Sequence, residues 1–147
     1  MLSTSSNQAT FIGCLNATTT DPVPYDHWFL ESPFDEEVID ALLELPFEVP
    51  QVDFGVGRRE AYNSTRRFFD SATLDEFSAC KTIAETMQSE APISAIQDTC
   101  GVDLRDSYLR IEYVMDRGEF WLEHHTDIGA KRFTMLIYLS QDPESTT

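Results

Sequence analysis

The apolar pattern changes period once along the chain, near Ser107, and this change constrains the fold more than any other feature. Before it, apolar side chains recur three and four residues apart, the spacing of a helix face. After it they alternate, as on a strand. In 108–115, Leu109, Ile111, Tyr113 and Met115 share one face. Two further strand-like segments follow, 120–126 and 132–140, separated by Asp116-Arg117-Gly118 and then by a turn at Gly129. Three such segments with short connections predict an antiparallel meander. Helices first and strands afterwards is the α+β class.

The helical part has readable punctuation. Ser32 as N-cap, Pro33 at the first helical position and Asp35, Glu36 and Glu37 beside the positive end of the dipole predict a helix. Its buried face is Phe34, Val38, Ala41, Leu42 and Leu45, and Pro46 ends it. Thr73-Leu74-Asp75-Glu76 reads as a capping box that opens a second helix through Phe77, Ile83, Ala84 and Met87. Pro92 opens a third helix and Gly101 closes it. Cys80 and Met87 fall on or beside the apolar stripe and read as core filler. Ahead of these, Pro22 and Pro24 make 21–25 a turn or extended connector. Residues 1–20 are rich in Ser, Thr and Asn and carry no charged side chain. They predict a frayed, mostly disordered lead-in, with Phe11-Ile12 as a weak short strand, before a domain spanning 21–147.

A chain of 147 residues is long enough for one core and no more. The net charge of −16 disfavours a nucleic-acid backbone or an anionic membrane as partner, because both need basic surface. Cys14, Cys80 and Cys100 are odd in number and far apart, which predicts a reducing, cytoplasmic setting rather than a disulfide framework. No apolar run is long enough to span a bilayer. The start of the chain has neither the basic and apolar pattern of a secretion signal nor the arginines of a transit peptide. The sequence does not fix the oligomeric state.

The most specific chemical suggestion is His125-Thr126-Asp127, between two apolar strand-like runs. On an extended strand His125 and Asp127 project to one side, and an imidazole beside a carboxylate supplies two of the three ligands of a facial triad for non-haem Fe(II). His124 points the other way. Glu123 shares the face of the pair, but one strand cannot wrap three successive same-face residues around one ion. Structural zinc needs four clustered ligands, which the scattered cysteines do not provide. A serine hydrolase lacks a G-x-S-x-G elbow here. Arg58-Arg59 and Arg66-Arg67 stand out because no lysine or arginine precedes them. They read either as an anion or substrate contact on a loop, with Arg58, Arg59 and Arg66 its candidates, or as partners of nearby carboxylates.

Three runs carry a family resemblance: Leu109-Arg-Ile-Glu-Tyr113, Phe120-Trp-Leu-Glu-His-His-Thr-Asp-Ile-Gly129 and Arg132-Phe-Thr-Met-Leu-Ile-Tyr-Leu-Ser140. Together they resemble the Fe(II)- and 2-oxoglutarate-dependent oxygenases, within them the prolyl-4-hydroxylase-like branch. The match covers about the last third of the chain, with a similar layout in the helical part before it.

The resemblance implies helices packed on a double-stranded β-helix, a cupin-like jelly roll that these residues complete only in part. It implies Fe(II) held by His125 and Asp127, with 2-oxoglutarate as cosubstrate and ascorbate as a supporting reductant. It places Tyr138, and less directly Tyr113, against the cosubstrate; otherwise both are core residues with one polar end. The implied reaction couples 2-oxoglutarate decarboxylation to C–H hydroxylation of a small molecule or a side chain. The family pattern also requires a later histidine and a later basic residue, and neither occurs before Thr147. His27, upstream among prolines, has no counterpart in the pattern. The expectation is therefore the amino-terminal part of a longer oxygenase, inactive alone. The alternatives are a non-catalytic β-sandwich binding module, a degenerate oxygenase relative, or a cupin-like metalloenzyme that does not use 2-oxoglutarate.

Overall fold

The computed structural model describes residues 2–48, 66–115 and 128–139. These residues form helices and two small antiparallel sheets, an α+β arrangement as the change of period predicts. The core sits among helices α1 (Thr4–Ala17), α2 (Glu36–Leu43), α4 (Ser78–Gln88) and α5 (Glu90–Cys100).

Helix α1 corrects the expectation of a disordered lead-in and of a strand at Phe11-Ile12. Ser3 caps it by accepting a hydrogen bond from the Ser6 N–H at 3.2 Å. Asn7, Phe11 and Leu15, four residues apart, form the buried stripe. Phe11 stacks on Phe34 with ring centroids 5.7 Å apart. Asn7 is fully buried and has both ends of its amide in use: Nδ2 donates to the Ser3 carbonyl at 2.8 Å, and Oδ1 accepts from the Asp35 N–H at 3.0 Å. One side chain thus ties together the starts of two helices and gives the Asp35 N–H an acceptor, one of the N–H groups that a helix start leaves without an intrahelical partner. Tertiary contacts of this kind hold a helix whose composition alone would not.

Helix α2 begins three residues later than the Ser32 and Pro33 signals suggest. Ser32 instead adopts a left-handed backbone (φ 49°), and Asp35 is the N-cap. The Asp35 carboxylate turns to α1, where the hydroxyls of Ser6 and Thr10 hold it below the usual carboxylate range. The helix ends at Leu43, short of Pro46.

The single helix expected after Thr73 is two. Asp70, rather than Thr73, is the cap of α3 (Ser71–Glu76), accepting from the Thr73 N–H at 2.9 Å. Phe77 is extended (φ −116°, ψ 110°), ends α3 and starts α4. Helix α4 is the central one, burying Ala79, Cys80, Ile83 and Ala84. Helix α5 starts at Glu90, two residues before Pro92, which lies in its first turn. Gly101 closes it as expected, with φ +65°, a conformation that glycine adopts without penalty.

The strands differ most from expectation. β1 (Thr20–Asp21) and β2 (His27–Trp28) form a hairpin in register Thr20↔Trp28. β4 (Glu112–Val114) pairs with β3 (Arg66–Phe68), in register Arg67↔Tyr113, a partner that the expected meander does not include. The 120–126 segment lies outside the described residues. Residues 132–139 belong to neither sheet of the described residues. Phe133, Met135 and Leu139 are partly buried against the helical core, while Leu136, Ile137 and Tyr138 are exposed. The turn at Gly129 is present, with the Lys131 N–H donating to the Ile128 carbonyl at 3.0 Å. A jelly roll is not visible in these elements.

Candidate functional site

His125 and Asp127 lie outside the described residues, as do Arg58 and Arg59. The segments that lead into and out of the His-x-Asp stretch are described, and both pack against the same core. Upstream, Ile111 packs against it next to β4; downstream, Phe133 and Met135 do so.

Tyr113 sits on the inner side of β4. Its hydroxyl donates to the Leu42 carbonyl at 3.2 Å, in the last turn of α2. Burial raises the phenol above its ordinary value, with a smaller contribution from Cys80, so it stays a donor at neutral pH. Phe47 packs edge-on to it, centroids 5.4 Å apart, and edge-on to Phe77 at 5.5 Å. The Arg67 guanidinium lies 6.0 Å from the Phe47 ring centroid. Tyr113 thus pins the small sheet to α2. Tyr138, by contrast, is 83% exposed.

Arg66 is half of an ion pair. Its guanidinium donates to Glu112, the neighbouring β4 residue, and the two side chains are 13% and 15% exposed. The other oxygen of Glu112 accepts from Arg110 at 2.7 Å. Arg66 Nε is buried and has no hydrogen-bond partner among the described residues. Between the two readings of the arginine cluster, this placement gives Arg66 a carboxylate partner. The structure brings Arg66 and Tyr113 onto one two-stranded sheet and leaves Tyr138 on the outside of the 132–139 segment.

His27 lies on β2, its Nδ1–H donating to the Tyr25 carbonyl at 2.8 Å and its Nε2 3.9 Å from Asp21. Among the described residues no three His, Cys, Asp or Glu side chains converge to hold a metal ion. No described helix is long and apolar enough to cross a membrane. Cys80 is buried, which pushes its thiol up to about 11; burial also raises Cys100. Neither is poised as a nucleophile, since the thiolate is the reactive form.

Sequence reasoning missed two structural partners of this region: β3, disguised by Arg66-Arg67, and the Phe47 ring beyond the Pro46 stop. The aromatic spacing of Phe47, Phe77 and Tyr113 had no local signal, because it joins three distant stretches. No protein-family model matches the chain, and neither a curated protein nor a solved structure matches it.

Proposed function

We propose that the chain belongs to an Fe(II)- and 2-oxoglutarate-dependent oxygenase that hydroxylates an unactivated C–H bond. The observation that carries the reading is His125-Thr126-Asp127 set between the strand-like runs 108–115 and 132–140. An imidazole and a carboxylate two residues apart are a hard, facial donor set suited to Fe(II), and not to a thiolate-loving metal. The proposal assigns two of the three protein ligands.

Two features of the fold support it. Segments on both sides of the motif pack against a helical layer through Ile111, Phe133 and Met135, as a sheet carried on helices would. The 132–139 segment sets Phe133, Met135 and Leu139 partly against the core and leaves Leu136, Ile137 and Tyr138 exposed, an apolar surface of the kind expected where a second layer of a jelly roll lies opposite. Bound iron with 2-oxoglutarate supplies the oxidising chemistry. The chain's own part is to orient the iron through His125 and Asp127 and the cosubstrate carboxylate through the Tyr138 hydroxyl. Tyr113, with its hydroxyl given to Leu42, acts from behind by fixing β4 to α2.

The test is 2-oxoglutarate binding by calorimetry under anaerobic conditions, with and without Fe(II). Binding that requires the metal, and that weakens roughly tenfold in Tyr138→Phe, is expected for loss of a charge-assisted hydrogen bond. Metal-dependent binding indifferent to Tyr138→Phe assigns that hydroxyl no role. Absence of metal-dependent binding removes the cosubstrate from the reading and favours the cupin-like alternative.

A further inference from the structure

The β1–β2 hairpin displays aromatic side chains that the fold does not use. Tyr25 is 71% exposed and Phe29 76%. With His27 they form a row on one side of the strand: the Tyr25 and His27 ring centroids are 5.6 Å apart, and those of His27 and Phe29 are 5.0 Å apart and edge-on. Alternate residues of an extended segment share a side, so this row follows directly from their spacing. It is also held in place. Thr18 Oγ1 donates to the Phe29 carbonyl at 2.8 Å, and Cys14 Sγ donates to the Glu31 carbonyl at 3.1 Å, anchoring the outgoing strand to the end of α1. Asp21 Oδ1 accepts from the Val23 N–H at 3.0 Å and shapes the turn. The tip, Val23, is a further exposed apolar side chain.

The charged side chains carried by the hairpin and its flanking residues have one sign. Asp21, Asp26 and Glu31 are exposed on and beside the hairpin, and no lysine or arginine precedes Arg58. Apart from His27, every ionisable side chain that carries a full charge in that stretch is therefore a carboxylate. Exposed aromatic rings beside carboxylates fit a guanidinium: its plane stacks on an aromatic ring while its N–H fork reaches carboxylate oxygens. A lysine ammonium, more strongly hydrated and without a plane, fits less well. An anionic lipid surface is disfavoured by the same carboxylates.

We propose that the Tyr25, His27 and Phe29 face of the hairpin is a docking surface for an arginine-bearing segment of a partner protein. The surface is preorganised by α1 and stands independently of the metal chemistry at His125 and Asp127.

The experiment is a fluorescence anisotropy titration of the full chain with a labelled hexa-arginine peptide, using hexa-lysine as the comparison. The expected result is binding of the arginine peptide that is tighter than that of the lysine peptide. Tyr25→Ala/Phe29→Ala, which leaves the net charge unchanged, weakens it roughly tenfold, as for the loss of two exposed cation–π contacts. Tyr108→Ala, at an aromatic residue exposed elsewhere, leaves it as it was. Failure of the unmodified protein to bind overturns the proposal. So does equal binding by the double variant, which would assign the peptide to diffuse negative charge. Chemical-shift mapping on the unmodified protein does not depend on how the variant folds: shifts concentrated in residues 20–31 are expected, and shifts concentrated elsewhere overturn the proposal.

Discussion

Helices α1, α2 and α4 enclose Phe11, Val38, Cys80 and Ile83 almost completely, whereas residues 128–139 leave Ile128, Leu136 and Tyr138 largely in solvent. Both regions are rich in apolar residues, but only the first closes on itself. The helices meet around a shared interior, and polar groups at the starts of α1 and α2 are matched there: Asn7 bonds to Ser3 and Asp35, and Thr10 donates to Asp35 at 2.7 Å. The 128–139 segment gives one set of side chains, Phe133, Met135 and Leu139, to that interior and turns the other set outward. The contrast separates what makes the protein fold from what the fold is built to present. Stability resides with the helices, and the proposed chemistry with the strand-like end.

Substitutions break this comparison most sharply at Phe11. Truncating a fully buried aromatic costs about 3–5 kcal/mol, so Phe11→Ala should lower the midpoint of urea unfolding severely. A disordered lead-in would make the same change silent. Asn7→Ala is the next largest effect. It removes the acceptor of the Asp35 N–H, while the Ser3 carbonyl keeps the backbone N–H of residue 7 at 3.1 Å, and a stranded buried group of this kind costs about 1–3 kcal/mol; the same denaturation measurement reads it.

A smaller effect concerns acid. The Asp35 carboxyl is held low in the folded protein, first by Ser6 and then by Thr10, below an unfolded value of about 3.9. The stabilisation is therefore fully present above that value and is lost as pH falls through the lower folded one. Thermal melts across that acidic range should show a shallower fall for Asp35→Asn than for the unmodified chain. Cys80 sharpens the comparison chemically. Its buried thiol, pushed up to about 11, should be the last of the three cysteines to react with a thiol reagent at pH 8, and prompt labelling would show that α4 is not enclosed. At the open end, Tyr138→Ala should change stability by no more than about 0.5 kcal/mol, as exposed positions do.

The sequence made some of this contrast legible. Local signals were sound where the backbone answered to local chemistry: Gly101 at the end of α5, the turn at Gly129, and the inward Ile111 and Tyr113. They failed where distant residues decide. In α1 only Phe11 and Leu15 mark the buried face, and the third position is Asn7, whose value depends on Asp35 twenty-eight residues away. Composition therefore suggested disorder. Ser32 and Pro33 offered a well-formed helix start, but the fold uses Ser32 in a left-handed turn and starts α2 at Asp35, where α1 supplies the hydrogen bonds. Arg66-Arg67 suggested a loop because charged pairs rarely mark a strand. In the structure Glu112 on the facing strand offsets one charge, and the other, on exposed Arg67, lies 6.0 Å from the Phe47 ring centroid. Of the candidate site, the motif itself could be read from spacing, while the roles of Arg66 in joining β3 to β4 and of Tyr113 in joining the sheet to α2 could not.

The measurement that bears most directly on the central claim is the affinity of the purified chain for Fe(II), or for Co(II) as an air-stable substitute, compared with His125→Ala and Asp127→Ala. The account predicts weak, saturable binding of one ion that either substitution abolishes, with the urea midpoint measured alongside to separate loss of the ion from loss of the fold. Unaltered affinity in both variants would contradict it and leave His125-Thr126-Asp127 without a metal.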